Sequence, residues 1–118
     1  MNYEFEIEFV KLDSGNIPFI RFLDSLSNIE KADVLAYIEE LRIVKGNNEI
    51  IPRKLSKHLK DGIFELRVKH QTRITRSLYF FMKDRKIVFT NGFIKKTEKT
   101  PNDEIEKAIR YKNIYLNR

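Results

Sequence analysis

The stretch IFELRVKHQTRITRSLYFFMKDRKIVFTNGFI, Ile63 to Ile94, decides the fold. Its first part alternates, with Phe64, Leu66 and Val68 as an apolar row opposite Glu65, Arg67 and Lys69. Successive side chains of a strand point to opposite faces, so this spacing predicts a strand over 63–69, its polar row turned away from the core. Arg73 to Met82 follows, rich in β-branched and aromatic residues, with large apolar groups in both rows. That is the pattern of a central strand covered on both sides. It leaves the side of Arg76 open; facing inward, the residue needs a partner, because an isolated buried charge is very costly. Lys83-Asp84-Arg85-Lys86 then turns the chain into a third strand, Ile87 to Ile94. Connections this short predict antiparallel neighbours.

Toward the N-terminus, Tyr3 to Val10 alternates Tyr3, Phe5, Ile7 and Phe9 with Glu4, Glu6 and Glu8, which predicts a half-buried strand. Asp13-Ser14-Gly15-Asn16 is a turn cluster, and Pro18 opens a short helix through about Leu26. Ser27 and Glu30 have capping-box spacing ahead of a helix with Leu35, Ile38, Leu41 and Ala32 along one stripe, which Gly46 stops. Residues 47–62 read as a basic connection holding Arg53, Lys54, Lys57, His58 and Lys60, closed by Asp61-Gly62. Beyond the strands, Thr100-Pro101 begins a last helix with Ile105, Ala108, Ile109 and Leu116 at helical spacing. The expectation is one α+β domain over residues 1–118, ordered β-α-α-β-β-β-α. Its small, mostly antiparallel four-stranded sheet has a helical pair on one face, the polar rows on the other, and a C-terminal helix.

Charge is segregated along the chain. Residues 1–50 hold 5 Lys/Arg against 10 Asp/Glu, and residues 51–118 hold 18 against 7, within a net charge of +6. Such an imbalance around one core predicts an acidic side and a basic side, and a basic side is the footprint a phosphate backbone requires. There is no cysteine, which excludes a disulfide scaffold and a thiolate metal site. No apolar run is long enough to span a membrane, and the acidic, alternating start does not resemble a signal peptide; both point to the cytoplasm.

Familiar catalytic sets are missing. His58 and His70 lie in unlike segments, and Asp103, Glu104 and Glu106 suit the first turns of a helix better than a metal site. What remains is a concentration of cations that can cleave RNA without metal or cofactor. The ribose 2′-hydroxyl is the nucleophile; the protein aligns it, neutralises charge on phosphorus and moves protons. Guanidinium forks suit phosphate oxygens, and a lysine crowded by cations can exchange a proton near neutrality. Arg67, Arg76, Lys95 and Lys96 are the residues for that work. A basic face that only binds is an equal alternative on these grounds.

The runs Ile63-Phe64-Glu65-Leu66-Arg67, Arg76-Ser77-Leu78-Tyr79-Phe80-Phe81 and Asn91-Gly92-Phe93-Ile94-Lys95-Lys96-Thr97-Glu98-Lys99-Thr100-Pro101, followed by Glu104-Ile105-Glu106-Lys107-Ala108, resemble segments of RelE/HigB superfamily toxins, most of all the phage-derived HigB-like branch. The resemblance implies the toxin of a type II toxin–antitoxin pair: a metal-independent, ribosome-dependent endoribonuclease that cuts mRNA, held in a hetero-oligomer by a helix-turn-helix antitoxin. By motif position it implies that Arg67 transfers a proton or binds phosphate. It likewise implies that Arg76 holds the scissile phosphate from the open face, and that Lys96, with Lys95, stabilises the leaving group. Lys54, Lys57, His58, Lys69, Arg73 and Lys99 are then expected to grip RNA or ribosome. The tail, Asn113 to Arg118, lacks the Asp or His that some HigB members use, so the general base stays unassigned. The alternative on the same scaffold is a non-enzymatic, ParE-like gyrase inhibitor.

Overall fold

The computed structural model of the chain describes residues 4–118. Tyr3, the first residue of the expected N-terminal strand, lies outside them. Among the described residues there are five strands and three helices: β1 (Glu6–Phe9), α1 (Pro18–Asp24), α2 (Asn28–Gly46), β2 (Ser56–Lys60), β3 (Ile63–Lys69), β4 (Ile74–Met82), β5 (Lys86–Ile94) and α3 (Asn102–Leu116). The strands form one mixed sheet in the order β1-β5-β4-β3-β2. β1 runs parallel to β5, and the other pairs are antiparallel. The α+β class, the antiparallel trio and the helical pair on one face are as expected; the strand count is corrected from four to five.

The extra strand comes from the stretch read as a basic connection. β2 is an edge strand, where one side of the ladder faces solvent and apolar alternation is not needed. Its sequence, Ser56-Lys57-His58-Leu59-Lys60, shows little of it, and a register shift between His58 and Lys60 breaks the pattern further. Asp61 and Gly62, both at positive φ (51° and 76°), form the two-residue link to β3. Left-handed positions of this kind favour Asp-Gly in tight hairpins.

α2 begins as its residues require. The Ser27 hydroxyl accepts from the Glu30 amide at 3.1 Å, and the Glu30 carboxylate accepts from the Ser27 amide at 3.1 Å. Its buried stripe is Val34, Ile38 and Leu41, not the one expected through Leu35, which is 45% exposed. Helical spacing permits both stripes, and packing on the sheet selected the one through Val34. α1 lies so close to β5 that a Cβ on Gly92 would collide with the Phe22 ring.

Two cores result, one on each face of the sheet. Under α1 and α2, Phe19, Phe22, Leu41, Leu66, Val68, Tyr79 and Phe89 pack together. Under α3, a smaller cluster holds Val10, Ile63, Leu78, Phe80, Val88 and Ala108. The second face was expected to present polar rows to solvent; α3 covers a large part of it.

Candidate nucleic-acid interface

Cover on the α3 face runs out toward one end of the sheet, and the row residues change accordingly. Along β3 this face shows Ile63, Glu65, Arg67 and Lys69 in turn; along β4 it shows Phe80, Leu78, Arg76 and Ile74. Ile63 and Phe80 are in the α3 core, and Glu65 pairs with Leu78, Arg67 with Arg76 and Lys69 with Ile74 across the ladder. Cα partners on adjacent strands share a face, so Arg67 and Arg76 point the same way. The chain leaving β5 closes over this end, its Lys95 amide donating to the Ile74 carbonyl at 2.8 Å.

A cleft of about 600 Å³ lies between that returning segment and the β3–β4 turn, with Lys69, Arg73, Lys95 and Lys96 on its walls. A second cleft of about 520 Å³ shares Lys69 and Ile74 with the first and adds Lys54, Arg67 and Glu40. The two adjoining clefts make a basic depression at the margin of the sheet, with Lys54 and Arg67 in one, Lys95 and Lys96 in the other and Lys69 in both; Glu40 and Glu98 are their acids. Glu98 faces solvent and accepts from Lys95 Nζ at 3.1 Å. Lys95, and more weakly Arg67 and Arg76, hold its carboxyl below the usual range. Fields of this sign over adjoining clefts attract and orient a polyanion.

The remaining expected residues divide. Lys57 lies opposite Glu65 on the same face, and Lys99 is exposed on the returning segment. Arg73 is already engaged: its guanidinium donates from Nε to Glu30 at 2.7 Å and from Nη2 at 2.9 Å, tying the β3–β4 turn to α2. That fork pulls the Glu30 carboxyl down to about 2. His58 is not brought to the depression. It lies in register with Phe64, its ring edge-on to that phenyl at 5.1 Å, and accepts from the Gly62 amide.

Arg76 was expected on an open face, and here the structure requires a correction. The residue is only 2% exposed. Nη2 donates to the Glu98 carbonyl at 2.6 Å and Nη1 to the Thr100 hydroxyl at 3.2 Å. Nε lies 3.3 Å from the Glu65 carboxylate, within ion-pairing reach but without hydrogen-bond geometry. Thr100 in turn donates to Glu65. Sequence reasoning identified the need for a partner but missed Glu65 and Thr100, because Glu65 reads as one more residue of a wet polar row.

A second buried network stands on the other wall. His70 contacts Asp33 through Nδ1 at 2.9 Å and Thr75 through Nε2 at 2.8 Å. The order of groups is that of a nucleophile triad, but Thr75 is fully buried and out of reach of any substrate. Its work is to fasten the β3–β4 hairpin to α2. Among the described residues, no group of three or more His, Asp or Glu side chains is placed to hold a metal ion. No helix there is long and apolar enough to cross a membrane.

Residues 21–113 match the family model described as Phage derived protein Gp49-like (DUF891). The chain belongs to this Gp49-like family. Comparison with curated proteins returns no match. The Gp49-like match runs from α1 to near the end of α3, so all the cations lining the depression fall inside it.

Proposed function

We propose that this Gp49-like protein is the toxin of a type II toxin–antitoxin pair, of RelE/HigB type, and that it arrests translation by cutting mRNA on the ribosome without metal. The observation supporting this most directly is that two pairs far apart in the chain, Arg67 and Lys69 on β3 and Lys95 and Lys96 after β5, line adjoining clefts that share Lys69, at the end of the sheet that α3 leaves uncovered. A bent phosphodiester seated there would have cations on both sides. Arg67 would neutralise the non-bridging oxygens as charge builds on phosphorus. Lys96, exposed on the returning segment, would meet the leaving 5′-oxygen and supply its proton. The ribose 2′-hydroxyl is itself the nucleophile: it gives its proton to water as its oxygen bonds to phosphorus and the bond to the 5′-oxygen breaks, so alignment supplies much of the acceleration. Lys54, Lys57 and Lys99 would hold the flanking backbone, and a helix-turn-helix antitoxin would be the neutralising partner.

Induction of the wild-type protein, followed by primer extension on translated messages, should reveal cuts within codons. Arg67→Ala and Lys96→Ala should each reduce them on the order of 100-fold, the usual effect of removing one group that stabilises developing charge. Intact messages in the induced wild type would sink the reading. Filamentous cells with DNA damage and uncut mRNA would instead favour gyrase inhibition on the same scaffold.

A further inference from the structure

The segment from Lys95 to Thr100 holds three of the cations that the proposed cleavage uses, Lys95, Lys96 and Lys99. Among the described residues, no backbone–backbone hydrogen bond fastens positions 96–100. The Thr97 hydroxyl donates to the carbonyl of Lys99, two residues on, which shapes the segment locally without attaching it to the sheet. Its attachment comes from below, through Arg76 to the Glu98 carbonyl and the Thr100 hydroxyl, and through Thr100 to Glu65. Arg76 and Thr100 are 2% and 3% exposed, so neither can touch a polyanion in the cleft.

We infer that Arg76 is a positioning residue: with Glu65 and Thr100 it forms a buried latch that pins the Lys95–Thr100 segment across the open end of the sheet. The chemistry explains the choice of residues. A guanidinium presents several donors in a fixed fork, so one side chain can grip a carbonyl and a hydroxyl and still face a carboxylate. A lysine would offer one movable point charge. Glu65 supplies the counter-charge without which Arg76 could not stay buried. The latch sets where Lys96 stands relative to Arg67. Its catalytic consequence rests on the cleavage reading above; the fastening of the segment does not.

The test compares Thr100→Val, which keeps the shape and the Arg76 charge but removes the hydroxyl, with Arg76→Lys. Each purified full-length variant is treated with trypsin, and cuts after Lys96 and Lys99 are timed by mass spectrometry. In both variants these cuts should come on the order of tenfold faster than in the wild type, about the effect of losing one hydrogen bond to a charged group. Cuts elsewhere should keep their rate. Unchanged cutting after Lys96 and Lys99 in Thr100→Val overturns the latch, even if Arg76→Lys fails to fold. In the cleavage assay, a latch predicts that Thr100→Val loses activity in common with Arg76→Lys, and that the double variant is no worse than the worse single one. Full activity in Thr100→Val beside an inactive Arg76→Lys would overturn it in favour of direct phosphate contact. If the wild type cuts no RNA, the proteolysis arm still decides the latch, so the two readings fail separately.

Discussion

The two faces of the sheet are built on different terms. The face under α1 and α2 is closed by apolar matter: Phe9, Phe19, Tyr79 and Phe89 lie ring against ring at 4.9 to 6.4 Å between centroids. The opposite face has one helix for cover. Where α3 stops, a charged network and a six-residue segment take over. Apolar burial is nondirectional and stabilises in proportion to area. A buried ion pair adds little net stability, yet it specifies geometry, because each partner must meet the other. The closed face therefore holds the molecule together, and the half-closed face is where cations can be set in place for a ligand.

The sharpest way to break this contrast is to remove one ring from each face. Phe89→Ala, wholly buried in the larger core, should lower stability by about 3–5 kcal/mol in urea titration. Phe93→Ala, half-buried beside the smaller one, should lower it by about 1–2 kcal/mol. Equal losses would refute the claim that the faces differ in weight. Next in size, Gly92→Ala should cost about 1–3 kcal/mol, because the new methyl must displace the Phe22 ring. No loss would mean that α1 can withdraw from β5. Ser27→Ala should cost about 1 kcal/mol by removing the α2 cap.

The smallest effect is a pH dependence. Glu30, held at about 2 by the Arg73 fork, ordinarily titrates near 4.5. A depressed carboxyl stabilises the fold above its unfolded value, and that support is lost as pH falls through the folded one. The melting difference between wild type and Glu30→Gln should be constant above pH 5 and shrink between about pH 4.5 and 2. A gap that persists at pH 2 would mean that Glu30 stabilises by something other than its charge. At the alkaline end, burial pushes the Tyr79 hydroxyl up to about 12 despite its contact with Ser56 at 2.6 Å. A raised phenol stabilises the fold below pH 10, and that support fades as pH climbs toward 12. Tyr79→Phe should remove this alkaline component.

Much of the architecture was legible. The alternation of Phe64, Leu66 and Val68, the capping pair Ser27 and Glu30, and the turn at Lys83–Lys86 depend on neighbours in sequence, and such signals survive folding. β2 was not legible from its own residues, because an edge strand needs only a partner in register. The one available signal was Asp61-Gly62, a tight-hairpin dipeptide that implied a strand on each side. The α2 stripe was misread at Leu35 because two apolar arcs on one helix are equivalent until a sheet chooses between them. For the candidate site, residue types were readable and positions were not: Arg67, Lys95 and Lys96 reach the depression, whereas His58 lies elsewhere and Arg76 is buried.

Residue order alone determined that this chain has an antiparallel three-strand unit, a capped helix after a short one, and a basic second half. Those properties follow from local periodicity and counted charge. Tertiary structure decided which charges face solvent. Glu65 and Arg67 are two residues apart on the same row, yet one is buried and the other lines a cleft, because the segment from Lys95 to Thr100 crosses above the first and leaves the second uncovered. Burial depends on what distant chain lies overhead, and no local pattern contains that information.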